Sequence, residues 1–371
     1  MRAYKTEIKP SLHQKQLLSK TFGNCRYVYN QYLAHNQQAY KETGKFITGY
    51  DFSKLINNSV ETPKWLKETS SKATKQAIIQ AETAFKRFFN NQSGFPKFKK
   101  RGKSKDNAYF VGTIKVQRHR IFIPTLKWVR LKEFGYIPNK GIKSVTLSKA
   151  ADRYYVSVLV DEAKPSHPKP INDGIGIDLG IKDFATLSNG EVYKNINKSP
   201  SVKKLEKKLK REQRIFSKKL LNKKQRGGTA ANIQKQKLVI QKLHRRLYNI
   251  RTDYINKTVS SIVKQKPSFI TLETLNIKGM VKNRHLSKAI SQQKFYELKV
   301  KLTNKCRLHN IELREVGLFY PSSKLCSSCG NKKAKLSLSE RIYKCSCGLK
   351  VDRDLNASIN LKNATGYTVL T

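Results

Sequence analysis

Residues 174–180 read GIGIDLG, an apolar strand set with glycines that carries one carboxylate, Asp178. A charged group in a buried strand is costly unless it is paired or holds a metal. The segment FATLSNGEVYK (184–194) follows, and Asn189-Gly190 marks a hairpin turn within it. Two long helical patterns come next. Val202, Leu205, Leu209, Phe216 and Leu220 form one stripe, Gly227 and Gly228 break it, and Ile240, Leu243, Leu247, Ile250 and Tyr254 then keep the spacing of a coiled-coil seam. Pro267 precedes a second buried strand, SFITLET (268–274), with Glu273 near its end. A helix at about 291–309, a strand IELREVG (311–317) and a last helix DLNASINLK, opened by Asp354, complete an α/β alternation.

The order of strand, hairpin, helices, strand, helix, strand and terminal helix matches the RNase H type of sheet. In such a sheet the first strand, a central parallel strand and a late helix bring acids to one point. Asp178, Glu273 and Asp354 sit on those three elements. Singly, each has a plain structural use: Asp178 could bind strand-end backbone groups, Glu273 could pair with a lysine, and Asp354 could cap a helix. Asp352 is a rival for the third position and Asp183 a weaker rival for the first. Hard oxygen ligands suit magnesium or manganese. Two such ions about 3.5–4 Å apart would activate water and stabilise the leaving oxygen of a phosphodiester.

Between the last of those strands and the last helix lie PSSKLCSSCG (321–330) and KCSCG (344–348). Cys326, Cys329, Cys345 and Cys347 fit a four-cysteine structural zinc site, closed to substrate because four thiolates leave no open position. Gly330 and Gly348 let each knuckle turn tightly. The second pair is CxC, shorter than the usual CxxC. Cys25 and Cys306 stand alone and read as small buried apolar residues.

The N-terminal half reads differently. Residues 3–8 alternate as a short strand. Leu12, Leu17, Leu18, Phe22, Cys25, Tyr29 and Leu33 mark one face of a long helix or helix pair, and Ala77, Ile78, Ala81, Phe85 and Phe88 mark another at about 70–90. Residues 11–91 therefore read as a small helical domain. GFPKFKKRGKSKD follows as a basic, aromatic loop in which Lys97, Lys99, Lys100 and Arg101 are candidate phosphate contacts. Residues 109–161 read as β structure, with IFIP (121–124), SVTLSK (144–149) and RYYVSVLVD (153–161) as strands and Ala150–Asp152 as a turn. Pro165, Pro168 and Pro170 form a linker, and a new domain begins near Asn172.

Lys and Arg total 76 against 25 Asp and Glu, a net charge of +51 spread from end to end. A surface so charged repels itself unless a polyanion lies along it, which makes nucleic acid the expected partner ahead of an anionic membrane surface or a ribosomal location. No segment approaches the ~20 apolar residues of a membrane span. MRAYKTEIKP has no apolar core and is not a signal peptide, so a cytoplasmic location is expected.

GIDLGIKDFATLSNG, TLETLN, KNRHLSKAI, YPSSKLCSSCG and VDRDLNASIN resemble TnpB (OrfB), the RNA-guided endonucleases encoded by bacterial and archaeal transposons and related to type V CRISPR effectors. CRYVYNQYL, GFPKFKKR and IPTLKWVRL extend the resemblance over nearly the whole chain. It implies a multidomain α/β and β protein: a barrel-like wedge domain at 1–10 and 92–168, a helical recognition insertion at 11–91, an RNase H-like (RuvC) nuclease domain at 172–320 and 349–371, and a zinc ribbon at 321–348. It implies a guide RNA (ωRNA) taken from the element's end, a short target-adjacent motif read in duplex DNA, and cleavage of both DNA strands by a monomeric ribonucleoprotein. It further implies Asp178, Glu273 and Asp354 as the catalytic, metal-binding acids, with Asp354 preferred over Asp352, and the four cysteines as the zinc ligands. The helix at 70–90 takes the place of the motif reader, with Tyr50, Ser71, Lys72, Lys75 and Gln76 as candidate contacts. A non-cutting RNA-guided repressor, a transposase with the same sheet and a guide-independent nucleic-acid-binding protein are the alternatives; a repressor would tolerate loss of the acids, and all three are present.

Overall fold

The structure is a computed structural model that describes residues 1–59, 63–163, 168, 170–227, 230–337 and 339–370; the expected linker residue Pro165 and helix breaker Gly228 lie outside them. The chain divides into two compact units, Met1–Ala163 and Lys164–Thr371.

In the first unit, strand β1 (Arg2–Lys9) leads into α1 (Leu12–Thr43). Ser11 and Gln14 start that helix as a reciprocal capping box, and Gly44 ends it at φ 68°. Two more helices, α2 (Gly49–Asn58) and α3 (Ser71–Phe89), precede six strands: β2 (Asn107–Val111), β3 (Lys115–Gln117), β4 (Arg120–Ile123), β5 (Lys127–Leu131), β6 (Ile142–Ala150) and β7 (Arg153–Val160). The strands form one antiparallel sheet in the order β2-β6-β7-β1-β5-β4-β3, the expected wedge, with β2 and β3 at its edges. Ala151, at φ 56°, turns the chain between β6 and β7. The helical stripes face inward: Leu18, Phe22, Cys25, Tyr29 and Leu33 from α1 and Ala77, Ile78, Ala81 and Phe85 from α3 share one core with Ile121, Val145, Val156 and Val158 of the sheet. Leu12 is the exception and is exposed.

The second unit opens with β8 (Ile175–Leu179), β9 (Asp183–Leu187) and β10 (Val192–Lys194). The hairpin turns at Gly190, φ 89°. Helices α4 (Pro200–Arg226) and α5 (Ala231–Lys264) pack as an antiparallel pair, followed by β11 (Phe269–Glu273), α6 (Ile277–Lys282), α7 (Ser287–Gln293), α8 (Phe295–His309) and β12 (Glu312–Val316). After β13 (Ile342–Lys344) and β14 (Lys350–Asp352) come α9 (Arg353–Lys362) and β15 (Tyr367–Val369). The sheet order is β10-β9-β8-β11-β12-β15. β8, β11 and β12 run parallel, while β9, β10 and β15 are antiparallel to their neighbours. This is the RNase H-like arrangement, with the ribbon strands β13 and β14 inserted before α9. Its core joins Ile177, Ile270, Leu272, Leu302 and Leu313, each nearly inaccessible to solvent and worth roughly 1.5–3 kcal/mol by burial.

Three details differ from the reading of the sequence. The helix expected at 291–309 is two helices, because Lys294 sits at φ 58° between α7 and α8. The α4 stripe is a shallow one: Val202 is fully buried, but Leu220 is 44% exposed, since the outer part of the α4–α5 pair has no third layer to cover it. A last edge strand, β15, adds to β12 after α9. No helix among the described residues is long and apolar enough to cross a membrane.

Candidate active site

Ile177 of β8 pairs with Leu272 of β11. The next residue on each strand is Asp178 and Glu273, so two parallel neighbours end side by side in carboxylates. Asp354 lies in the first turn of α9, where the helix dipole favours an acid. What brings α9 over β8 is Gly176. A methyl group built there would collide with the backbone of Ser358 and Lys362, so only glycine lets the helix lie directly on the strand. The two rival acids have other work. Asp352 is the N-cap of α9 and accepts from the backbone N–H of Asp354 (2.9 Å) and Leu355 (3.2 Å). Asp183 pairs with Lys194 across the β9–β10 hairpin at 3.2 Å.

Asp178 feels the charge of both other acids. Burial pushes the Asp178 carboxyl well above the usual carboxylate range, and the negative charges of Glu273 and Asp354 push it further. Glu273 is raised to about 7 by burial, against the pull of a hydrogen bond from the Leu179 backbone. Asp354 is raised by burial and by Asp352, with Arg341, Arg353 and Lys182 pulling the other way. The carboxylates are less tightly gathered than a closed metal site: their oxygens do not all lie within 4.8 Å of one another.

A buried amide that the sequence did not flag holds the chain just past Asp178. Gln293 donates to the carbonyls of Gly180 (3.2 Å) and Ile181 (3.5 Å). Its own carbonyl accepts from Asn197 (3.5 Å), which in turn accepts from Arg251 (2.7 Å). Arg251 also reaches Glu206, where Lys288 and Gln292 of α7 converge. The bases of α4, α5 and α7 are thereby tied to the turn after the first acid.

Among the described residues, the four cysteines are the group whose ligand atoms all lie within 4.8 Å of one another. Cys326 and Cys347 stand 3.6 Å apart at sulfur, as do Cys329 and Cys345. A tetrahedron with Zn–S bonds of about 2.3 Å has sulfurs about 3.8 Å apart, so the set fits a structural zinc. The short CxC pair does not spoil it. Gly330 and Gly348 donate back to the carbonyls of Cys326 and Cys345 at positive φ, which closes both knuckles alike. The backbone N–H of Cys347 draws the Cys345 thiol down to about 6, while hydrogen bonds to Cys347, Cys326 and Cys345 hold Cys329 up at about 12, so the thiols share their protons as one set. Cys25 and Cys306 are buried, and burial holds both thiols up at about 12.

In the first unit, Ser71, Lys72 and Lys75 are exposed on the first turns of α3, with Gln76 half-buried, and Tyr50 is exposed on α2. Lys97, Lys100 and Arg101 are exposed in the loop after α3. Lys99 is different: its ammonium lies 3.7 Å from the centre of the Tyr29 ring, and burial lowers its pKa.

Three family models match the chain. Residues 157–284 match one described as "Probable transposase" (OrfB_IS605), residues 295–361 a "Cas12f1-like, TNB domain", and residues 1–45 an OrfB_IS605 "Helix-turn-helix domain". A protein of Escherichia coli K12 named "Putative RNA-guided DNA endonuclease InsQ" is 30% identical over 390 residues, covering 100% of this chain and 93% of that protein. The chain belongs to the TnpB (OrfB) family. Another relative, from Streptomyces pristinaespiralis and carrying the same description without the InsQ name, is 30% identical over 371 residues, 97% of this chain and 88% of its own length. The fold is shared more widely than the sequence. The Cas12f1 chain in a cryo-EM complex with sgRNA and target DNA superposes with a TM-score of 0.56 at 16% identity, over 95% of this TnpB-family chain and 83% of that one.

Proposed function

We propose that this TnpB-family chain is an RNA-guided endonuclease that cuts double-stranded DNA with Asp178, Glu273 and Asp354. What supports the reading is that Asp178 and Glu273 end adjacent parallel strands and Asp354 opens the helix packed on the first of them, with burial raising each carboxyl. The names of the two relatives supply the substrate class. Asp178, Glu273 and Asp354 would offer oxygens to magnesium or manganese. When bound, such ions supply a water of lowered pKa and neutralise charge on the phosphodiester. The chain's own residues do the rest. Arg341, Arg353 and Lys182, near Asp354, would draw the DNA backbone to the carboxylates. Gln293 would hold the turn after Asp178, and Gly176 would keep α9 close enough for Asp354 to take part.

In this reading the first unit grips a guide RNA (ωRNA) and reads a short target-adjacent motif, with Tyr50, Ser71, Lys72, Lys75 and Gln76 facing the DNA and Lys97, Lys99, Lys100 and Arg101 the phosphates. Pairing between guide and target would set the sequence, and the protein would read backbone shape. The particle would be a monomeric ribonucleoprotein. The test begins with sequencing the RNA that copurifies with the protein when the transposon end is present. The same guide is then programmed against a plasmid library with randomised flanks. Enrichment of one flanking motif among cut molecules supports the reading. Random copurifying RNA and an uncut library refute it.

A further inference from the structure

The turn that leaves β12, the strand next to that of Glu273, exposes an aromatic ring. Phe319 is 91% exposed and its neighbour Leu318 45%. The turn is nonetheless fixed. Tyr320 donates its backbone N–H to Gly317 (3.0 Å), and the backbone of Ser322 donates to Tyr320 (2.9 Å). The Tyr320 hydroxyl donates to the carbonyl of Asn360 on α9 (2.9 Å), and its ring packs against the cluster of Val316, Leu361 and Ala364. Both elements that frame the turn carry acids or adjoin them. Val316 is the strand partner of Glu273, and the Thr274 hydroxyl donates to the Val316 carbonyl at 2.7 Å. Phe319 lies three residues beyond that pair, so its Cα is within about 15 Å of that of Glu273, given about 5 Å between strands and at most about 3.6 Å per residue.

We propose that Phe319 is a stacking platform for an unpaired nucleobase of the DNA strand presented to Asp178, Glu273 and Asp354, a proposal that rests on the nuclease reading of that site. An aromatic ring held out on a rigid mount loses hydrophobic free energy in water and regains it against a flat apolar face. The setting selects a base as that face. Leu318 and Phe319 by themselves offer far less apolar area than a protein interface buries. Cations stand by the site as well, since Arg341, Arg353 and Lys182 lie close enough to Asp354 to act on its charge. Cations for the backbone and a ring for the base are the two parts of a single-strand site. Duplex DNA hides its base faces, so this contact forms only with a strand already opened.

The experiment uses the guide-loaded protein on an Asp178→Ala background, which should bind without cutting. The probe is a single-stranded oligodeoxynucleotide unmatched to the guide, with 2-aminopurine at successive positions, and a duplex of the same sequence is the control. Phe319→Ala should weaken single-strand affinity at least about fivefold and restore the 2-aminopurine fluorescence that stacking quenches. Duplex affinity should stay within twofold, and the slope of affinity against salt should be unchanged because no charge is removed. Phe319→Trp should retain affinity and quenching, which excludes misfolding as the cause. Single-strand affinity unchanged in Phe319→Ala, or an equal loss on single strand and duplex, overturns the proposal. If the parent protein with Asp178 intact cuts a guide-matched plasmid while Phe319→Ala binds normally, this inference alone fails. If the parent does not cut, it is the nuclease reading that fails.

Discussion

A carboxylate at the end of a buried strand loses hydration, and at Asp178 the loss is compounded by Glu273 beside it and Asp354 on the helix above. The same arrangement makes the metal-free protein sensitive to pH. Glu273 is raised to about 7 in the folded chain, against about 4.3 when unfolded. Between those values the folded state holds more protons than the unfolded state, so stability falls as pH rises through the window. Glu273→Gln removes the penalty. In magnesium-free buffer with the zinc retained, the variant should melt a few degrees above the parent at pH 8 and show little advantage at pH 5, a shift of about 2–4 °C per kcal/mol relieved. Equal melting at both pH values would mean that the carboxylates do not strain the fold. Gly176 is the complementary case. Gly176→Ala drives a methyl group into the backbone of α9, and thermal unfolding should show a loss of about 3–5 kcal/mol. A variant of native stability would show that α9 does not need that close approach.

The elements that carry chemistry were legible in the chain because their residues are out of place. A carboxylate amid GIGIDLG, another at the end of SFITLET and two cysteine pairs followed by glycine each conflict with ordinary strand or loop composition. The elements that were not legible are set by distant contacts. Lys294 breaks the expected helix at positive φ, where a non-glycine residue is strained. Its ammonium is held over the Tyr248 ring at 3.7 Å and donates to the Thr252 hydroxyl at 2.8 Å, contacts that no local pattern announces. Gln293 reads as one more polar residue until its partners, about a hundred positions away, are in place. β15 is short and wholly exposed, so it carries no alternation. The zinc ribbon is the element with the sharpest test. The parent should hold one zinc per chain by mass spectrometry of metals. Cys326→Ala should lose it and become readily cleaved by trypsin between Lys324 and Lys350, where the ribbon is rich in lysine. Folded parent protein without zinc would refute the site.

Across the whole molecule the net charge of +51 is the dominant physical fact. A chain that neutralises six or more phosphates releases their counterions, so RNA affinity should fall at least a few hundredfold, roughly, between 50 and 200 mM salt. A flat dependence would mean that the charge does not face the guide. Binding of this kind selects nothing by itself; in the proposed reading the basic surface would hold nucleic acid, guide pairing would choose the sequence, and Asp178, Glu273 and Asp354 would break the bond. The most direct measurement of that reading is cleavage of a guide-matched plasmid by Asp178→Ala, Glu273→Ala and Asp354→Ala, each compared with the parent for guide and target binding. The account predicts that every variant binds both within a few-fold of the parent and cuts neither strand. Cutting by any of the three variants, at the parent's position on the plasmid, would contradict it.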